Sequence, residues 1–196
     1  MAAIQHGVID RHDALVLAES GNSFAWATHH LRLREPGRYR VSTGTGAMGH
    51  CAAGVVGAAV ASARKAVAIV GDGAMLMNNE ISTAVQLGAP AVWIVLNDGR
   101  YNMCHQGMAA LGLHADAGIP KVDFALVARA MGASGARVSC EAELAPALAA
   151  ALAACGPYLL DVDIDPERVA PTLARNRGLR AEGVVGRAEL AFPRSA

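Results

Sequence analysis

Two apolar runs of this chain each end in a carboxylate beside glycine: Val67-Ala-Ile-Val-Gly-Asp-Gly-Ala-Met-Leu-Met-Asn-Asn-Glu80 and Val92-Trp-Ile-Val-Leu-Asn-Asp-Gly-Arg-Tyr-Asn-Met103. In a parallel sheet such runs are strands buried on both faces, and their carboxyl ends form the edge where ligands bind. Asp72 and Asp98 are therefore expected to open onto one crevice. Two hard oxygen ligands beside glycine-rich turns suit a divalent cation such as Mg²⁺ carrying a diphosphate. A lone carboxylate at the end of a buried strand needs a cation, hydrogen bonds or a helix terminus to stay charged. The alternative is a turn or helix-capping aspartate, since Asp-Gly is a common turn pair.

Other residues join this chemistry by position. Ser20, Gly21, Asn22 and Ser23 offer small polar side chains and backbone N–H groups at a helix start, which suits an anion. Ser20 or Asn22 could equally cap that helix. Tyr101, Asn102, Met103, Cys104 and His105 follow the second carboxylate and are expected to line the pocket. His50 and His105 are the candidate proton carriers, because histidine titrates near neutrality, with a structural or surface role as the alternative for each. His29 and His30 lie within a helix, and no catalytic role is expected of them.

The elements that must position these residues alternate in type. Strands are expected at 14–18, 39–42, 66–70, 91–96, 136–139 and 158–164, and helices at 22–32, 47–64, 78–88, 122–132 and 143–154. That alternation implies an α/β fold, a doubly wound parallel sheet flanked by helices, with right-handed crossovers. Residues 99–121, with Gly107, Gly112, Gly118 and Pro120 and no clear period, are expected to form a long loop and short helix over the crevice. Residues 1–166 read as one domain. Residues 167–196 read as a C-terminal tail that wraps a partner or is disordered.

Composition narrows the function classes. The 196 residues are 53% hydrophobic and include 21 glycines, as in an alanine- and glycine-rich α/β domain with one sizeable core. Seventeen basic and seventeen acidic residues cancel, so no nucleic-acid partner is expected and a small-molecule role is favoured. Cys51, Cys104, Cys140 and Cys155 show no CxxC pair or zinc-ligand spacing. The N-terminus lacks a basic region followed by an apolar core, and no apolar stretch reaches the roughly 18 residues of a membrane span. A cytoplasmic chain with no membrane contact is the expectation.

Gly71-Asp72-Gly73, followed 26 positions after Asp72 by Asp98 in a Leu-Asn-Asp context, resembles the signature of thiamine-diphosphate (ThDP) enzymes. The flanks agree. Ser42-Thr-Gly-Thr-Gly-Ala-Met-Gly-His50 resembles the cofactor-holding turn of the acetolactate synthase, pyruvate oxidase and pyruvate decarboxylase superfamily. Glu19-Ser-Gly-Asn-Ser-Phe-Ala-Trp26 with Arg34-Glu-Pro-Gly37 resembles the start of its diphosphate-binding domain. The resemblance covers residues 14–166. It implies ThDP and Mg²⁺ as cofactors, with Asp72, Asp98 and the backbone carbonyl of Arg100 as metal ligands and the backbone N–H groups of Ala74 and Met75 on the diphosphate. It also implies that Gly46 accepts a hydrogen bond from the 4'-amino group, and that Met48 props the cofactor in the bent form that brings this group to the reactive carbon. Asp98 stands where the family most often has asparagine. Cys104 stands where its simple decarboxylases place a glutamate.

The family's cofactor lies between two domains, the second supplying a glutamate to the pyrimidine. Glu19, Glu35 and Glu80, the glutamates before residue 100, all fall in segments assigned to the diphosphate side. The expectation is thus a second subunit supplying the pyrimidine-binding domain and its glutamate, in a dimer of heterodimers acting on a small 2-oxo acid. The absent decarboxylase glutamate favours acetolactate synthase-like carboligation. A heteromeric decarboxylase resembling those of sulfopyruvate and phosphonopyruvate is the second reading, and a non-catalytic binding or regulatory module the third.

Overall fold

The computed structural model of the chain describes residues 1–171. Its six strands, β1 (Leu15–Ala18), β2 (Tyr39–Val41), β3 (Ala66–Gly71), β4 (Ala91–Asn97), β5 (Ser134–Val138) and β6 (Tyr158–Asp163), form one sheet in the order β2-β1-β3-β4-β6-β5. Every pairing is parallel. The helices are α1 (Ala2–Ile4), α2 (Asn22–His30), α3 (His50–Ser62), α4 (Asp72–Met77), α5 (Ile81–Leu87), α6 (Asn102–Ala110), α7 (Phe124–Ala130) and α8 (Glu141–Ala153). The expected doubly wound α/β fold is the one observed.

Side-chain alternation along the central strands builds a core on each face. Ala66, Ala68 and Val70 of β3, with Ala91, Trp93 and Val95 of β4, meet α3, α5 and α7. Val67 and Ile69, with Val92 and Ile94, meet α1, α2 and α8 on the other face. Burial on both sides explains why these strands read as unbroken apolar runs. Trp93 is fully buried and donates its indole N–H to the Ala52 carbonyl at 2.7 Å, tying β4 to the first turn of α3.

Three expectations need correction. The first nine residues, given no structure from sequence, contain α1, with Ile4 buried, and a π-helical segment, Gln5–Ile9, with Val8 and Ile9 buried. The helix expected from residue 78 begins at Ile81, because Glu80 takes a left-handed conformation at φ 51°. The helix expected from residue 47 begins at His50, after Gly49 at φ 89°. Within 99–121, the expected long loop and short helix are present, the helix being α6 with nine residues. Of the expected tail, residues 167–171 run against α6, with Gln106 donating to the Arg168 carbonyl and accepting from Ala170 N. Residues 172–196 lie outside the described residues.

Candidate functional site

Chain order reverses between β1 and β3: the chain leaves β1 for β2, then returns to β3 on the other side of β1. Loops diverge at such a switch point and leave a crevice at the strands' carboxyl ends. A cavity of about 690 Å³ lies there, lined by residues from after β1, before α3, and after β3, β4 and β6.

Asp72 follows β3 directly and is buried, at 4% exposure. Its Oδ1 accepts from Gly73 N and its Oδ2 from Gly99 N, both at 2.7 Å. Asp98 follows β4, and its Oδ2 accepts from Asn102 Nδ2 at 2.7 Å. The same Asn102 amide donates to the Pro166 carbonyl at 2.8 Å, which carries the chain after β6 past the crevice. Gly73 is closely covered: a Cβ there would stand 2.5 Å from Tyr101 Cε1, so the tyrosine ring packs on bare backbone.

The electrostatics of the pair are those of a site short of positive charge. Burial raises the Asp72 carboxyl above the ordinary carboxylate value, and the charge of Asp98 raises it further, against the N–H groups of Gly73, Gly99 and Asp98. Burial likewise raises Asp98, against its hydrogen bonds to Asn102 and the Arg100 backbone. A divalent cation between them would reverse both shifts. Among the described residues, no group of three or more His, Cys, Asp or Glu could hold a metal by itself. An ion at this pair must take its remaining ligands from carbonyls, water or a bound anion.

Ser20, Gly21, Asn22, Ser23, Gly46, Met48, Gly71, Asp72, Gly73, Ala74, Asp98, Arg100, Tyr101, Asn102, Met103 and Cys104 all line the one cavity. Ser20 Oγ, Asn22 Oδ1 and Asn102 Oδ1 are buried there without a hydrogen-bond partner, and Gly21 caps α2 without a side chain. Met75, the remaining residue expected on the diphosphate, does not line the cavity: its side chain is fully buried in the core on the α3 face of the sheet.

Two further candidates are placed elsewhere. His50, the first residue of α3, is exposed and does not line the cavity. His105 follows Cys104 on α6, and the turn of about 100° per residue aims it into a separate cavity of about 270 Å³ with Met108 and His114. Neither histidine is among the residues that line the crevice. Cys104 is there, whereas the Cys51 thiol is pushed up to about 11 by burial and by the Glu19 charge.

Sequence reading missed Trp26, His30, Arg168 and the buried Glu19. Trp26 and His30 stack at 5.5 Å and line the cavity together. Their i, i+4 spacing was the signal available. Glu19 is 0% exposed, and its carboxylate accepts from Ser20 N at 3.0 Å, Cys51 N at 2.9 Å and Ala52 N at 3.0 Å.

Comparison with known proteins agrees with this geometry. Residues 19–162 match the family model described as "Thiamine pyrophosphate enzyme, C-terminal TPP binding domain". A Mycobacterium tuberculosis protein named "Putative acetolactate synthase large subunit IlvB2" is 38% identical over 84% of this chain and 30% of its own length. The mitochondrial acetolactate synthase catalytic subunit of Saccharomyces cerevisiae is 33% identical over 84% of this chain and 25% of its own. Among solved structures, the thiamine diphosphate-dependent 4-hydroxybenzoylformate decarboxylase of Rhodococcus jostii RHA1 superposes with a TM-score of 0.75 at 27% identity, over 85% of this chain and 32% of that one. The chain thus spans a quarter to a third of the relatives it matches. With its parallel sheet, its switch-point cavity and its two strand-end aspartates, the chain belongs to the thiamine pyrophosphate enzymes, as their C-terminal TPP binding domain.

Proposed function

We propose that this chain is the diphosphate-holding part of a ThDP- and Mg²⁺-dependent enzyme that decarboxylates a small 2-oxo acid and passes the acyl unit to an acceptor, as an acetolactate synthase does. The observation that carries the reading is the pair Asp72 and Asp98 on adjacent strand ends, both raised by burial, opening onto the cavity that also holds the Ser20–Ser23 turn.

The residues fit the group. The two aspartates and the Arg100 carbonyl would hold Mg²⁺. The N–H groups opening α2 and α4, with the partnerless Ser20 hydroxyl, would take the diphosphate oxygens. Gly21, Gly46 and Gly71 leave open space where a Cβ would project, so backbone can approach a ligand closely. Met48 is 46% exposed at the cavity, an apolar contact awaiting an apolar surface. When bound, the cofactor supplies a nucleophilic carbon that adds to the carbonyl of the 2-oxo acid. This chain would anchor the charged tail, set the Met48 side chain against the ring and offer the Gly46 carbonyl to the amino group.

A partner chain completes the site by supplying the pyrimidine-binding domain and its glutamate. Among the described residues, the carboxylates lining the cavity are Asp72, Asp98 and Asp165, and the first two are committed to the metal. Calorimetry with ThDP and Mg²⁺ tests the reading. The isolated chain should bind weakly without turnover, a mixture with the partner chain should turn over, and Asp72→Ala should abolish both. Activity retained by Asp72→Ala in the assembled enzyme would show the site assignment to be wrong. With pyruvate as substrate, acetolactate or another acyloin supports carboligation, and acetaldehyde alone supports a heteromeric decarboxylase. The second reading draws on the likeness to a benzoylformate-type decarboxylase; Cys104 in the cavity, with no carboxylate at that position, weighs for the first.

A further inference from the structure

Glu19 follows β1 directly, and its carboxylate is wholly buried with no basic partner among the described residues. A buried carboxylate is costly unless hydrogen bonds replace its water. Here three backbone N–H groups do so. Ser20 N meets Oε1, and Cys51 N and Ala52 N, the second and third residues of α3, meet Oε2. Helix α3 begins after Gly49, which has no side chain to cap it. Glu19 therefore performs the capping that a Ser or Asp at the N-cap would ordinarily perform, from 32 residues away in sequence. The charge also complements the positive end of a thirteen-residue helix.

The two segments joined in this way are both candidate cofactor contacts. Ser20–Ser23 begins at the residue whose N–H Glu19 holds, and Gly46–Met48 leads directly into the turn whose N–H groups it holds. The first turn of α3 is gripped from the far side as well, by the Trp93 indole on the Ala52 carbonyl.

Resting on the ThDP reading above, we propose that Glu19 is a positioning residue: its carboxylate welds the diphosphate-side turn, Ser20–Ser23, to the ring-side turn, Gly46–Met48, and closes the N-terminus of α3 to external anions. The ligand's diphosphate is thereby directed to the Ser20–Ser23 side of the cavity. A cofactor held at both ends then meets two contacts at a fixed separation.

Glu19→Gln keeps the volume but sets an NH₂ against backbone N–H donors. The amide keeps one acceptor oxygen, so backbone amide exchange measured by NMR on the purified chain should accelerate about tenfold or more on the side that meets the NH₂, at Ser20 or at Cys51 and Ala52, the scale expected when a buried donor loses its acceptor. Ile69 and Ile94 in the core strands should keep their wild-type rates. Amide resonances of both turns should shift together. In Glu19→Ala, acetate should restore slow exchange at Cys51 and Ala52 while leaving the wild type unchanged. Unaltered exchange at Ser20, Cys51 and Ala52 alike in Glu19→Gln, or uniform acceleration through β3 and β4, would overturn the proposal, as would movement of one turn without the other. Titration with ThDP and Mg²⁺ then separates the two readings. A wild-type chain that bound nothing would count against the cofactor assignment while the exchange result still decided the role of Glu19. A Glu19→Gln affinity equal to that of a binding wild type would overturn the positioning role.

Discussion

At the scale of single residues, Asp98 is the position where chemistry and stability pull apart. The folded chain raises both Asp72 and Asp98, so in the metal-free protein each carboxylate opposes folding above its raised folded value. That opposition disappears as pH falls below the unfolded carboxylate range near 4. Asp98→Asn removes the like charge and keeps an oxygen for Asn102. It should raise the Tm of the metal-free chain at pH 7 by roughly 2–4 °C, the response to about 1 kcal/mol in a chain of this size. The advantage should shrink toward pH 4, and Mg²⁺ should stabilise the variant less than the wild type. Thermal melts across pH, with and without Mg²⁺, check the sign. The aspartates were legible in the sequence because a carboxylate after a buried apolar run has few other fates. The histidines were not, because composition says which residues can carry protons but not where they point: His105 and Cys104 are adjacent in sequence and face different cavities.

Among the elements, the strands were legible, α6 was legible only as a short helix without bounds, and the N-terminal helical segment was not legible at all. Strands β3 and β4 are dry on both faces, so nearly every residue had to be apolar. Helix α6 (Asn-Met-Cys-His-Gln-Gly-Met-Ala-Ala) buries only Asn102, so it lacks an apolar stripe, and its amide side chains are spent on neighbouring backbone instead. The N-terminal helical segment packs through three residues on a face shared with α8, too brief a pattern to show a period. The junction of α4 and α6 is the tightest point in the site. Gly73→Ala would drive a methyl into the Tyr101 ring. The expected cost is about 1–3 kcal/mol, the usual penalty for overpacking. Because Gly73 N also holds Asp72 Oδ1, affinity for Mg²⁺ should fall alongside the melting temperature. A variant with normal stability and normal Mg²⁺ binding would show that the ring moves aside freely.

For the whole molecule, the proposed partner must cover the exposed apolar side chains of Met48, at the cavity, and of Leu76 and Met77 at the end of α4. Met48, Leu76 and Met77 are 46%, 45% and 53% exposed, and a Cβ on Gly49, which directly follows Met48, would stand 3.2 Å from Met77 Cβ. Apolar side chains clustered beside a binding site mark a surface that another surface covers. Met77→Glu should leave the thermal melt of the isolated chain within about 0.5 kcal/mol, as expected for a surface change. It should prevent co-elution with the pyrimidine-domain partner in size-exclusion chromatography. Continued co-elution would place the interface elsewhere. The stacked Trp26 and His30 have a separate consequence. The chain has two tryptophans; Trp93 is sealed in the core and bonded to Ala52, whereas Trp26 forms part of the cavity wall. Emission from Trp93 is therefore a constant background. Any change in fluorescence as a ligand enters comes from Trp26, which gives the unlabelled protein a built-in optical gauge of its own occupancy.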